Sequence, residues 1–225
     1  MSKIAVLLPC YNEEITLGKV IDDVKKYLPD ADIFVFNNNS TDRSKEIALE
    51  KKVNVIDVIE QGKGNVVKAM FKTIDADAYL MVDADDTYDL ANASKMIDMI
   101  LNEGYDMVIG DRLSSNYYQN NKIMFHSFGN RLVKFLVNVM YHNKISDIMT
   151  GLRTFSPRFV KEMNIISKGF EIETEMSIYA TKKKMKVGAV LVDYRDRPEG
   201  SYTKTKAIRD GLKIIKLIFK KKFSK

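Results

Sequence analysis

Five times within the first 112 residues, a short apolar run stops at a polar cluster and gives way to a stretch patterned as a helix. The runs cover residues 4–9, 32–36, 53–59, 78–82 and 106–110. Continuous apolar runs of this length are strands buried on both faces, and strands alternating with helices build a parallel sheet of right-handed βαβ units. Ligands of such sheets bind outside the carboxyl ends of the strands. The polar clusters at 11–13, 37–42, 62–64, 83–86 and 110–112 each follow a carboxyl end, so five of them meet on one rim. One such cluster is only a turn. Five rich in Asn, Asp, Lys and Arg make a composite site for a polar, phosphorylated ligand.

The intervening helices are expected from Asn12, as N-cap, to about residue 28, then to about 51, to about 74, and over 90–101. Past Arg112 the pattern changes. A polar loop at 116–121 precedes a helix over 122–141, whose apolar stripe runs through Leu132, Phe135, Leu136, Val139 and Met140. Residues 146–153 and 169–175 read as polar loops, 187–192 as a late strand, and the chain from about Lys206 as a basic helix. No repeat, linker or low-complexity tract divides the chain, so one α/β domain over 1–225 is expected.

The sharpest chemical signal is Asp83-Ala84-Asp85-Asp86 at the end of the fourth strand. Asp83 and Asp85 leave one face of an extended chain, and carboxylates that close repel unless a cation lies between them. Hard oxygen ligands suit Mg²⁺ or Mn²⁺, which complete their shell with water and substrate phosphate. The plain alternative is a capping aspartate before the next helix.

Composition narrows the partners. A net charge of +6 favours an anionic one, with nucleic acid, nucleotide and anionic membrane all open. The lone Cys10 allows no intramolecular disulfide and fits a reducing compartment, and with only two histidines a zinc site is not expected. No run approaches the ~18 apolar residues that span a bilayer, and nothing resembles a signal peptide. The expectation is a protein that is soluble or rests on a membrane surface. Gly62-Lys63-Gly64 follows the third strand and lacks the third glycine of a dinucleotide fingerprint, with Val67 in its place; it is not a P-loop either. Tyr88 stands where a calcium loop needs glycine. The basic tail is a weak match to a nucleic-acid surface.

Taken in order, the motifs resemble family 2 glycosyltransferases of the GT-A fold, in the branch similar to dolichyl-phosphate mannose synthase. Pro9-Cys-Tyr11-Asn12-Glu13-Glu14 resembles the family's nucleotide-holding opening, and Asn37 to Asp42 its Asp-Asn-Asn-Ser-Thr-Asp. Gly62-Lys63-Gly64 matches Gly-Lys-Gly, Asp83-Ala84-Asp85 the metal motif, and Arg197-Pro-Glu-Gly-Ser-Tyr-Thr-Lys204 the segment that closes over the diphosphate. The resemblance covers residues 4–212. It implies that Pro9, Tyr11, Asn12, Glu13, Asn37, Asn39, Lys63, Ala84, Arg197 and Lys204 hold the donor, and Asp83 and Asp85 the metal. It further implies that Arg112 and Arg131 grip an acceptor phosphate. Asn37 stands in place of the usual base-contacting aspartate, which opens the choice of base.

The implied reaction is an inverting transfer of sugar from a UDP-sugar, such as UDP-glucose or UDP-GlcNAc, or from GDP-mannose, to a polyprenyl phosphate for cell-surface glycans. The alternatives are transfer to a polysaccharide or lipid-linked hydroxyl, a nucleotidyltransferase, or a non-catalytic sugar-nucleotide-binding subunit. A phosphate acceptor is already anionic and needs no general base. Asp147, Glu173 and Glu175 are the acids available if one is needed, with orientation of Arg153 or helix capping as their plain roles. On this reading residues 1–112 form the nucleotide half, 113–205 the acceptor half and 206–225 a basic amphipathic tail. The protein would sit peripherally on the cytoplasmic face of the membrane. Surface helices or a small membrane-protein partner would hold it there, with a homo-oligomer left open.

Overall fold

The computed structural model describes residues 2–114, 124–142 and 144–223, the side chains of 124–128 excepted. The first half alternates as its apolar pattern demands: β1 (Ile4–Cys10), α1 (Leu17–Tyr27), β2 (Asp32–Asn37), α2 (Ser44–Glu50), β3 (Asn54–Asp57), α3 (Lys63–Thr73), β4 (Ala78–Met81), α4 (Ala93–Leu101) and β5 (Met107–Asp111). After it come α5 (Met124–Tyr141), β6 (Arg153–Phe155), α6 (Pro157–Glu162), α7 (Ile172–Lys182), β7 (Val187–Leu191) and α8 (Ala207–Phe223). The strands form one sheet in the order β3-β2-β1-β4-β6-β5-β7. All pairings are parallel except those of β6, which runs antiparallel to both β4 and β5.

Alternation along β1 explains how one sheet carries two cores. Ala5 and Leu7 face the layer that holds α3, α6, α7 and the inner sides of α5 and α8, whereas Val6, Leu8 and Cys10 face α1 and α4. Both sets are almost wholly buried, and each Leu or Val contributes about 2 kcal/mol. Strand order reverses around β1, with β2 on one side and β4 on the other. The carboxyl ends of β1 and β4 therefore flank a crevice, bridged below by the Thr16 hydroxyl donating to the Ala84 carbonyl at 2.6 Å.

Four local expectations change. Asn12 is not an N-cap: it has φ of 53°, its side-chain oxygen accepts from Thr41 N, and α1 starts only at Leu17. The stretch read as a loop at 146–153 ends in β6, which uses Arg153 as a strand residue. The loop read over 169–175 contains the start of α7, so Glu173 and Glu175 are helical. On α5, the core side is Val133 and Val137, while Leu132, Phe135 and Val139 of the expected stripe are exposed. The polar loop at 116–121 and the start of the 122–141 helix lie outside the described residues.

Candidate active site

The centre of the rim is built by close backbone approaches. Gly62 has φ of 129°, and a Cβ there would lie 2.2 Å from the Lys168 carbonyl; one on Gly64 would lie 2.3 Å from that of Ser167. Only Gly-X-Gly lets residues 167–168 close over the start of α3, where Gly64 N donates to Lys168 O at 3.1 Å. The closure throws Lys63 inward, with its side chain 12 % exposed, between Asp83 at 2.5 Å and Glu173 at 2.6 Å. Burial pulls the Lys63 pKa down, but the Asp83 and Glu173 charges more than reverse it and the net shift is upward. Opposite, a Cβ on Gly151 would stand 2.1 Å from Asp83 Oδ2, so the chain before β6 is seated against that carboxylate.

Asp85 is buried. Its Oδ1 accepts from the Thr87 hydroxyl at 2.7 Å and its Oδ2 meets Arg197 at 2.6 Å. Burial, then the Asp83 charge, push the Asp85 carboxyl upward against the pull of Arg197. Arg197 also reaches Glu13 at 3.2 Å, and Lys204 meets the same Glu13 at 2.7 Å while donating to the Asn12 carbonyl at 2.7 Å. Segment 197–204 is thus strapped across the ends of β1 and β4. Asp86, with φ of 58°, turns away to pair with Lys19 and Arg195.

Two networks flank this centre. On the β2–β3 side, the Asn37 amide donates to Asp57 Oδ1 at 2.8 Å, and Lys45 pairs with Asp57 at 2.5 Å. Asn38 donates to the carbonyls of Val58 and Glu60 and accepts from Gly62 N, and Asn39 donates to Ile59 O. Tyr11, just after β1, is 38 % exposed. On the β5 side, buried Arg112 makes a two-pronged contact with Asp147, Nε–Oδ2 2.8 Å and Nη2–Oδ1 3.1 Å. Its guanidinium lies 5.7 and 5.2 Å from the ring centres of Tyr88 and Tyr194. The Tyr88 hydroxyl accepts from Gly151 N at 2.7 Å, which ties this network to Asp83. Burial, chiefly, drives the Tyr88 pKa up, so it stays a neutral phenol.

The structure therefore brings Glu13, Lys63, Asp83, Asp85, Glu173, Arg197 and Lys204 into one cluster, with Arg112 and Asp147 beside it. Pro9 stays within β1, and Ala84 is buried with its carbonyl held by Thr16. Arg131 is exposed on α5, and Glu175 lies apart, accepting from Ile166 N and Ser167 N and pairing with Lys221 of α8. Arg153 is held by the carbonyls of Thr150 and Ile148 and the Ser177 hydroxyl, not by Asp147. Sequence reasoning did not single out Thr87, Gly151 and Asp57, and treated Tyr88 only as a failed calcium-loop position. Glycine after Thr150 was the one local sign of a close approach.

Comparison with known proteins places the chain in a family and its fold among solved structures. Residues 5–163 match the family described as Glycosyl transferase family 2. Glycosyltransferase AglJ of Haloferax volcanii is 35% identical over 209 residues, which cover 92% of this chain and 68% of that one. The same organism's dolichyl-phosphate hexose transferase is 29% identical over 221 residues, 96% and 92% of the two chains. Among solved structures, glucosyl-3-phosphoglycerate synthase of Mycobacterium tuberculosis, crystallised with Mn²⁺, UDP and phosphoglyceric acid, superposes with a TM-score of 0.78 at 17% identity, over 99% of this chain and 79% of that one. The shared fold is GT-A-like, and the chain belongs to glycosyl transferase family 2.

Proposed function

We propose that the protein transfers a sugar, with inversion, from a nucleotide diphosphate sugar to a polyprenyl phosphate at a membrane surface. The carrying observation is the cluster at the β1/β4 crevice, where four carboxylates (Glu13, Asp83, Asp85, Glu173) meet three cations (Lys63, Arg197, Lys204). Groups so arranged can exchange their internal partners for a diphosphate and its counter-ion. The name of the dolichyl-phosphate hexose transferase relative supports the lipid acceptor.

The residues present fit a divalent cation. Asp83 and Asp85 are hard oxygen donors, and the cluster sets the carboxylates of Glu13, Asp83, Asp85 and Glu173 against only the three cations Lys63, Arg197 and Lys204, an excess of negative charge that a cation would relieve. Asp83 and Asp85 would hold Mg²⁺ or Mn²⁺, which when bound would neutralise charge on the leaving diphosphate. Arg197 and Lys204 exchange Asp85 and Glu13 for that diphosphate when the donor binds. Tyr11, Asn12, Asn37 and Asn39 line the nucleotide side, where Asp57 adds a carboxylate beside Asn37.

Arg112 carries the acceptor phosphate beside the metal carboxylates, with Arg131 as a second contact. An oxygen of the phosphate attacks the sugar's anomeric carbon as the bond to the diphosphate breaks, and the nucleoside diphosphate leaves. A phosphate monoester is ionised near neutral pH, so no proton has to be removed. This suits the surroundings: Asp147 is fully buried against Arg112, and Glu173 is committed to Lys63. Both act as positioning residues.

Incubating the protein with a panel of radiolabelled UDP- and GDP-sugars tests this reading. Label should pass into organic-extractable lipid with polyprenyl phosphate, require Mg²⁺ or Mn²⁺, and not pass to polyprenol or to oligosaccharide hydroxyls. Transfer to a hydroxyl acceptor alone would replace the proposed acceptor, and full activity in EDTA would remove the metal.

A further inference from the structure

Helix α8 carries two apolar stripes, and the core uses one. Asp210, Ile214, Leu217 and Ile218 are buried against the body of the protein. Ile208, Leu212, Phe219 and Phe223 are 83, 64, 45 and 78 % exposed. At 3.6 residues per turn those four fall within a sector of about 60° pointing away from the buried side. Large exposed apolar side chains gathered on one line mark an interaction face.

Charge decides the occupant. Arg209, Lys216 and Lys220 fall in the adjoining sector and make no ion pair among the described residues. The one acid of α8, Asp210, is turned inward, where it accepts from Lys206 N at 2.8 Å. A second copy packed antiparallel through this stripe would set these cationic rows against each other. An anionic lipid leaflet meets both the apolar stripe and its basic margin.

We infer that the outward stripe of α8 is a membrane-docking face for an anionic leaflet that holds the donor strap at the lipid surface; this rests on the lipid-borne acceptor proposed above. Two residues separate α8 from Lys204, itself fixed on Glu13 and Asn12. Four peptide steps span at most about 14 Å, so Ile208 cannot lie farther than that from Lys204. A leaflet on this face is therefore beside the crevice in which the diphosphate is held.

The test is sedimentation of the full chain with vesicles lacking both donor and acceptor, so its outcome does not depend on glycosyl transfer. Binding should be strong to phosphatidylcholine vesicles containing about 30 mol % phosphatidylglycerol, weak to phosphatidylcholine alone, and lost at high salt. The combined variant Ile208→Ser, Leu212→Ser, Phe223→Ser should bind about tenfold or more weakly with an unchanged melting temperature. Lys216→Glu with Lys220→Glu should lower binding to the anionic vesicles and leave the residual binding to phosphatidylcholine as it was. Failure of the wild type to bind, or equal binding by the triple variant, would overturn the inference. So would a wild-type dimer that the triple variant breaks while vesicle binding persists, since a second copy would then own the stripe.

Discussion

Gly151 brings no side chain to the site, yet it fixes where Asp83 can be. Since a methyl group at 151 would meet Asp83 Oδ2 at 2.1 Å, Gly151→Ala must displace the carboxylate or the chain entering β6. The expected outcome is a fall in kcat/KM of about tenfold or more with a small loss of stability, because a misplacement near 1 Å at a reacting centre is costly. Steady-state transfer and urea unfolding of the same sample check it; unchanged kinetics would mean that Asp83 needs no fixed position. The aspartates themselves were legible in the sequence as a close carboxylate pair, because they stand at i and i+2 after an apolar run, although a capping role read as well there until the other motifs were added. Gly151 and Asp57 were not. Their roles come from approaches between β4 and the chain before β6, or between neighbouring strands, and no spacing along the chain records those.

At the scale of elements, the regular parts were legible because each strand of the first half is an apolar run with a helix behind it. What escaped was short or buried on every side. β6 has three residues and begins with Arg153, which reads as polar loop; in the fold that arginine is fully buried, and burial pushes its pKa down to about 10 despite the Glu173 and Asp147 charges. The first turns of α7 bury Glu173, Thr174, Glu175 and Ser177, so that helix has no polar face to give it a stripe. Arg153→Met keeps the bulk but takes its donor from the Thr150 carbonyl and leaves the Ile148 carbonyl only the long 3.5 Å bond from the Ser177 hydroxyl. A destabilisation of about 2 kcal/mol is expected from one buried acceptor left unsatisfied and one left weakly paired, read as a lower urea midpoint at unchanged slope. A change under about 1 kcal/mol would mean that another group replaces the guanidinium.

At the scale of the whole molecule, the site joins parts far apart in sequence: Glu13 after the first strand and Arg197 to Lys204 before the last helix. A ligand that engages both should stabilise the fold as a unit. With the correct nucleoside diphosphate and Mn²⁺ at a hundred times the dissociation constant, the gain is about 2.7 kcal/mol, which for a chain of this size raises Tm by about 5 °C or more. Differential scanning fluorimetry with UDP and GDP, each with Mn²⁺ and with EDTA, reads both the base and the metal. No shift with either nucleotide in Mn²⁺ would place the donor elsewhere.

The strap has a thermodynamic corollary. Arg197 and Lys204 already rest on Asp85 and Glu13, and Lys63 on Asp83. A diphosphate arriving alone takes cations from carboxylates and leaves those carboxylates uncompensated; a metal ion arriving alone does the reverse to the arginine and lysines. Each ligand by itself breaks ion pairs that only the other restores. If the proposed donor and metal sites hold, the two occupancies would be cooperative, and reciprocity would require each to tighten the other by the same factor. The protein would discriminate against free metal and free nucleotide alike while responding steeply to the two together.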